Sequence, residues 1–318
     1  MLSWIRNLFT ESFDLKQAMP LLRGKIDKNV LMAKKTWLGV GGNAEFLYTP
    51  ADEDDLYYFL STKPNLPLTV LGGCSNVLIR DGGIPGVVVM LGDAFKDVFV
   101  EGPFIRCGAF AKNTAIAQAA LEAGLSGFEF LAGIPGTVGG ALRMNAGAHG
   151  RAMQDITLEI GIIDTNGHQL TITKSEMVFE YRKTALPDNW IFTKALFKGV
   201  PDSKENIKKR MQQYKEAREK AQPQGVKTAG SMFKNPVGLK AWELIDKAGC
   251  RGMRIGGAMV SEKHCNFFIN TGTATANDLE NLALKVQEKV YDISQIQLEW
   301  EVRRIGVKTK RFSSFGGK

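Results

Sequence analysis

Two glycine-rich stretches hold the residues of this 318-residue chain best suited to chemistry on a phosphate-bearing ligand. The first runs Val70-Leu71-Gly72-Gly73-Cys74-Ser75-Asn76-Val77-Leu78-Ile79-Arg80-Asp81-Gly82-Gly83. The second runs Gly133-Ile134-Pro135-Gly136-Thr137-Val138-Gly139-Gly140-Ala141-Leu142-Arg143-Met144-Asn145-Ala146-Gly147-Ala148-His149-Gly150, with no acidic residue and no Lys. A backbone without Cβ brings its N–H groups close to a ligand and turns through positive φ, which suits a phosphate cradle. Neither stretch continues into the Gly-Lys-Ser/Thr of a P-loop, and neither has the G-x-G-x-x-G spacing of a Rossmann turn. Together they suggest one long ligand held from two sides. Taken singly, each is also compatible with plain turn glycine.

The elements that must position these stretches follow from periodicity. Residues 44–48, 68–71, 76–79 and 87–91 read as strands, with a helix over 52–60. Residues 114–123 are Ala-rich and end at Gly124, a helix with a glycine C-cap. Strand composition returns at 156–163, 169–173 and 190–197, the first two joined by the hairpin signal Thr165-Asn166-Gly167. A basic helix over 204–220 turns Ile207, Met211 and Tyr214 to one face, and Gln222-Pro223-Gln224-Gly225 marks a boundary after it. Beyond lie a helix at 241–248, a strand at 267–270, a helix N-capped by Asn277 running to about Tyr291, and a strand at 296–305. The fold class is α+β.

Composition narrows the class of function. An apolar share of 44% and a charged share of 23% are those of an ordinary globular protein. A net charge of +8 with a pI near 9.2 favours anionic ligands. The charge is dispersed and carries no recognition motif, which argues against a nucleic-acid partner. The cysteines Cys74, Cys107, Cys250 and Cys265 form no C-x-x-C pair, and with three histidines they make a metal site an unlikely expectation. Scattered thiols fit a reducing cytoplasm. Trp4, Ile5, Leu8 and Phe9 predict a short N-terminal helix docked on the body, with weak membrane association as the lesser option. No segment approaches the roughly 20 apolar residues of a spanning helix, so the expectation is a soluble intracellular protein.

Six motifs in series carry a resemblance. They are Gly73-Cys74-Ser75-Asn76, residues 133–141, Met144-Asn145-Ala146-Gly147, Tyr181-Arg182, Gly230-Ser231-Met232-Phe233-Lys234-Asn235-Pro236, and Glu301-Val302-Arg303. In this order, across residues 35–306, the chain resembles the MurB family, the UDP-N-acetylenolpyruvoylglucosamine reductases of peptidoglycan synthesis. The resemblance implies an FAD-binding region of the vanillyl-alcohol-oxidase/PCMH type in two subdomains, plus a smaller α+β C-terminal substrate domain. The corresponding boundaries are 1–20 for an N-terminal extension, 21–202 for the FAD region with a split near 76, 203–306 for the substrate domain and 307–318 for a basic tail.

The resemblance also implies roles. Gly72, Gly73, Cys74, Ser75, Asn76, Gly133, Ile134, Pro135, Gly136, Thr137, Gly139, Gly140 and Ala141 would hold FAD, with NADPH as a transient hydride donor. Hydride would pass to C3 of the substrate's enolpyruvyl group. Arg182 would offer a planar cation to the carboxylate, Glu301 would act as its acid partner, and Ser231 would protonate C2. Tyr181, Arg218, Asn235 and His264 would face the UDP-sugar; Lys234 would contact phosphate or stay solvated. No insertion between Gly199 and Ser231 leaves room for a substrate-covering tyrosine loop, the mark of the shorter type. Cys74, His149, Thr184 and Trp300 depart from residues usual in the family, and none of them replaces Arg182, Ser231 or Glu301.

Outside the resemblance, the residues read more plainly. Ser231 is a turn or cap serine, Arg182 pairs with Glu180 or an acid on a neighbouring strand, and Glu301 is exposed on its strand. A flavin oxidase of the vanillyl-alcohol oxidase type would share the FAD loops but leaves residues 230–236 and Glu301 unexplained. A non-catalytic FAD protein has no use for Arg182, Ser231 and Glu301 together.

Overall fold

The computed structural model describes residues 13–309; the helix expected at the N-terminus and the tail beyond Thr309 lie outside them. Two sheets carry the first two-thirds of the chain. The first has four strands in the order Lys25–Leu31, Asn43–Thr49, Ile84–Met90, Leu68–Leu71, the outer pair antiparallel and the rest parallel. The β-branched run of Ile84–Met90 fills its centre, buried on both faces as a parallel strand must be. Asp52 caps the helix Glu53–Thr62 by accepting from the Asp55 N–H. Asp55 in turn is buried, and its carboxylate accepts from Tyr48 Oη at 2.6 Å and from the N–H groups of Arg23 and Gly24 at 2.8 Å each.

The second sheet is antiparallel, with five strands ordered Gln169–Thr173, Thr157–Ile163, Ile191–Lys198, Phe104–Gly108, Val98–Glu101. The helix Asn113–Ala123 packs across it and stops at Gly124, which takes the left-handed cap at φ +66. One continuous apolar core joins both sheets, from Leu15 and Phe46 through Val89, Ile105, Phe128 and Phe197.

A smaller body completes the chain. The helices Ala241–Lys247 and Ala276–Ser294 enclose a second core with the short strands Arg254–Ile255, Ala258–Val260 and Phe268–Asn270. Leu38, Val40 and Leu78 from the first half of the chain also belong to that core.

Several expectations change. The crossing from the first sheet to the second falls between Met90 and Val98, not near 76, because Ile84–Met90 still pairs with Leu68–Leu71. The basic helix Lys204–Ala221 belongs to the first body rather than to a domain starting at 203. Arg210 fastens it there, donating to the buried Glu129 at 2.8 Å and to Asp202 at 2.6 Å. Residues 13–20 are not an appendage, since Leu15 and Met19 are buried in the first core. The last long helix is capped by Thr275, not Asn277: Thr275 Oγ1 accepts from Asp278 N–H, and Asp278 answers Thr275 N–H, both at 3.0 Å. Only Arg303–Ile305 of the expected 296–305 strand joins a ladder, parallel to Val77–Ile79. Among the described residues, no helix is long and apolar enough to cross a membrane.

Candidate active site

The two glycine stretches meet. A Cβ on Gly73 would stand 2.8 Å from Gly136 Cα, and one on Gly136 would stand 2.6 Å from Ser75 Oγ. Gly136 also has φ +97, so only glycine fits the contact on both counts. The loops border one cavity of about 570 Å³, which runs between the two bodies and is lined from Trp37 to Ile305. That size is ordinary for a small-molecule site.

The cradle is asymmetric. Among the described residues, the backbone N–H groups from Gly73 to Asn76 have no protein acceptor. Those of Val138 and Gly139 are taken by the carbonyls of Ala111 and Ala109 at 2.9 and 2.8 Å. The second stretch becomes the helix Val138–Arg143, and Gly139 lines the cavity through close backbone packing against Ala109 rather than through a free N–H. Thr137 Oγ1 lines the cavity, buried and without a hydrogen-bond partner. Unpartnered N–H groups and a buried hydroxyl beside a glycine floor fit a dinucleotide's phosphates. Cys74 keeps a left-handed backbone at φ +50, and burial pushes its thiol up to about 11, so it stays neutral.

Arg182, Ser231 and Glu301 all line this cavity. Arg182 Nε lies 3.0 Å from Glu301 Oε1, an ion-pair distance at which the N–H is not aligned on that oxygen. The guanidinium donates to the Gly147 carbonyl at 3.0 Å and stacks 5.2 Å from the Tyr181 ring. Glu180, the plain partner suggested by sequence, pairs with Lys183 instead. Glu301 is enclosed, and burial raises its pKa above the usual carboxylate range against the pull of Arg182 and Lys234. Its position is set by two segments: its N–H donates to the Met232 carbonyl at 2.9 Å, and Asn76 Nδ2 donates to its carbonyl at 3.2 Å. Ser231 precedes a segment locked by Asn266, whose side chain bonds both the N–H and the carbonyl of Phe233 at 3.0 and 2.7 Å.

The residues expected to face the UDP-sugar separate. Arg218 lines the cavity and donates to the Gly133 carbonyl at 2.6 Å, tying the basic helix to the glycine loop. Tyr181 is exposed and stands outside the cavity lining. Asn235 accepts from the Ala241 N–H at 3.0 Å, capping a helix. His264 is half-buried between Trp242 and Phe267, with its Nδ1 unpartnered and its pKa lowered by burial. Lys234 pairs with Glu299 at 3.4 Å.

Sequence reasoning passed over three contributors. Arg143 is half-buried, its pKa pushed down to about 10 by desolvation, and donates to the carbonyls of Leu186, Pro187 and Trp190 at 2.7–2.8 Å. It thereby shapes a loop whose Asp188 accepts two bonds from Arg303, at 3.0 and 2.5 Å. The half-exposed Trp37 closes the cavity on the Cys74 side, its N–H bonded to the Cys74 carbonyl. The one available signal was Arg143 inside the glycine motif; the other two are set by tertiary packing. Of the departures, His149 stacks on Tyr214 at 3.9 Å, Thr184 is buried, and Trp300 packs on Phe233 outside the cavity lining.

Known proteins are similar to this chain over most of its length. Residues 44–173 match the family model of the FAD binding domain, and residues 222–305 match that of the UDP-N-acetylenolpyruvoylglucosamine reductase C-terminal domain. A UDP-N-acetylenolpyruvoylglucosamine reductase of Parvibaculum lavamentivorans is 49% identical over 92% of this chain and 95% of its own length. Its counterpart in Rhodospirillum rubrum is 51% identical over 91% and 92%. The crystal structure of UDP-N-acetylenolpyruvylglucosamine reductase (MurB) from Thermus caldophilus superposes with a TM-score of 0.79 at 37% identity, covering 90% of this chain and all of that one. With a glycine cradle, an enclosed Arg–Glu pair and relatives about half identical over nine-tenths of its length, the chain belongs to the UDP-N-acetylenolpyruvoylglucosamine reductase family, as a flavin oxidoreductase.

Proposed function

We propose that this chain reduces UDP-N-acetylglucosamine enolpyruvate to UDP-N-acetylmuramate, with NADPH as reductant, in peptidoglycan precursor synthesis. The observation that supports the reading best is the placement of Arg182, Glu301 and Ser231 on the same cavity as the glycine cradle. FAD bound in the cradle would supply the hydride chemistry between NADPH and C3 of the enolpyruvyl group.

The protein's own residues handle the charge that follows. Residues 73–76 would hold the cofactor's phosphates through their free N–H groups, and Thr137 would add a hydroxyl. Negative charge develops across C2 and the carboxylate, where the Arg182 guanidinium supplies a permanent cation with an unused Nε–H. Burial favours the protonated form of Glu301, and in that form its carboxyl donates a hydrogen bond to the same carboxylate. Ser231 gives its proton to C2, which completes the addition of hydride and proton across the double bond. A serine hydroxyl is a weak acid, so this transfer depends on the basicity of the charge at C2.

Arg218, which lines the cavity beside Gly133, suits the diphosphate of the UDP moiety. The four cysteines are unpaired, which suits a reducing compartment, and we place the enzyme in the cytoplasm with a small-molecule substrate and no nucleic-acid partner.

The test is a spectrum. Anaerobic NADPH should bleach the purified flavoprotein, and UDP-N-acetylglucosamine enolpyruvate should restore its colour. Recovery with oxygen alone would replace the reductase by an oxidase.

A further inference from the structure

Asn145 has no part in the chemistry above, yet its side-chain amide is engaged at both ends. It is 5% exposed and holds a left-handed backbone at φ +39. Nδ2 donates to Gln154 Oε1 and to the Glu180 carbonyl, both at 3.0 Å, and Oδ1 accepts from the Gln154 N–H at 3.1 Å. Two residues on, the Gly147 carbonyl accepts from the Arg182 guanidinium. The segment from Asn145 to Gly147 therefore grips the Arg182 turn twice, through its backbone at Glu180 and through its side chain at Arg182.

That turn requires a grip. Arg182 has φ +57, a strained conformation for a non-glycine residue that persists only where its surroundings over-determine it. The pairing Phe179–Glu180 with Lys183–Thr184 is a two-residue ladder, too short to supply the constraint alone. The remaining fastening of the Glu180 backbone on this side is the Asn145 amide.

We propose that Asn145 is a positioning residue for Arg182: by bonding the Glu180 carbonyl it fixes the strained turn that sets the guanidinium beside Glu301 and the substrate carboxylate. The inference rests on the function proposed above. A guanidinium displaced by about 1 Å can cost as much as 10²-fold in rate, so a bond two residues away is kinetically visible. Asn145→Asp keeps the size but replaces the NH2 group, with its two N–H donors, by one acceptor oxygen facing another acceptor at Glu180. Asn145→Ala removes the bond outright.

The two half-reactions separate positioning from scaffolding. In FAD-loaded N145D and N145A, stopped-flow flavin absorbance should show reoxidation by the enolpyruvyl substrate slowed about tenfold or more, with reduction by NADPH within about twofold of wild type. In an R182A background, N145A should add nothing further to the loss in reoxidation, because the group it positions is gone. The charged groups facing Glu301 are Arg182 and Lys234, so loosening Arg182 weakens one of two cations opposing burial. The alkaline limb of reoxidation in N145A should accordingly move to higher pH. Equal losses in both half-reactions, or a full additional loss in the R182A background, would overturn the positioning role. An unimpaired R182A enzyme would remove both that role and the function assigned to Arg182. Using two variants keeps the test available should one of them fail to fold.

Discussion

At the scale of single residues, the cavity separates groups that bind from groups that move protons, and their substitution should separate the half-reactions. Ser231→Ala deletes one hydroxyl next to a segment that Asn266 holds independently, so the local fold should survive. We expect flavin reduction by NADPH to be nearly unchanged and reoxidation by substrate to slow by roughly 10²-fold or more, the range for a placed proton donor. Equal slowing of both steps in stopped-flow absorbance would remove Ser231 from that role. Glu301 carries the pH dependence. Burial raises its pKa, so the neutral acid persists above the ordinary carboxylate range and is lost as pH rises through the raised value. The rate of reoxidation should therefore fall on the alkaline side, and Glu301→Gln should abolish that limb while lowering the plateau. A limb unchanged in the glutamine variant would belong to another group.

At the scale of elements, the decisive contact is backbone on backbone between the two glycine loops. Gly73→Ala would place a methyl 2.8 Å from Gly136 Cα, where nothing flexible can yield. The loops must part, and with them the free N–H groups of the cradle. We expect this variant to purify folded but depleted in FAD, read as the ratio of flavin to protein absorbance; full occupancy would show that the loop contact is not what shapes the cradle. Both loops were legible in the sequence because turn glycine leaves a local signature, as do the Gly124 cap and the β-branched strand centred on Val88. The helix Val138–Arg143 was not, because glycines at 139 and 140 carry no helix signal and the helix forms only where Gly139 packs against Ala109. Lys25–Leu31 was also illegible: a polar edge strand takes its conformation from pairing with Asn43–Thr49. Likewise the Arg182–Glu301 pair joins positions far apart in sequence, and only the motif series placed both in one site.

At the scale of the molecule, the question is what keeps two bodies aligned across a shared cavity. The parallel ladder of Val77–Ile79 with Arg303–Ile305 has a functional end and an anchored end. Asn76 and Glu301 occupy the first, where Arg303 N–H also donates to the Asn76 carbonyl at 3.1 Å. At the second, Arg80 makes two bonds of 2.8 and 3.1 Å to the buried Glu280 on the helix Ala276–Ser294, with Arg304 at 3.5 Å and Lys308 at 3.9 Å. Asp81 reinforces the join by accepting the N–H groups of Ala276 and Asn277 at 2.9 and 2.8 Å, at the positive end of that helix. Glu280 is 3% exposed but its cations are partly solvated, so the cost of Glu280→Gln should fall between that of surface and buried pairs, about 2–3 kcal/mol at neutral pH. The sign of the pH dependence follows from Arg80, which holds the Glu280 carboxyl below its ordinary value. Such a group stabilises the fold fully above the unfolded-state value of about 4.3, and its contribution is lost as pH falls through the lowered folded value. Urea denaturation of wild type and variant at saturating FAD should thus give a gap that is widest near neutrality and closes in acid. A gap constant across pH would mean that Glu280 acts through packing, and the alignment of Asn76 with Glu301 would then rest on the ladder and Asp81 alone.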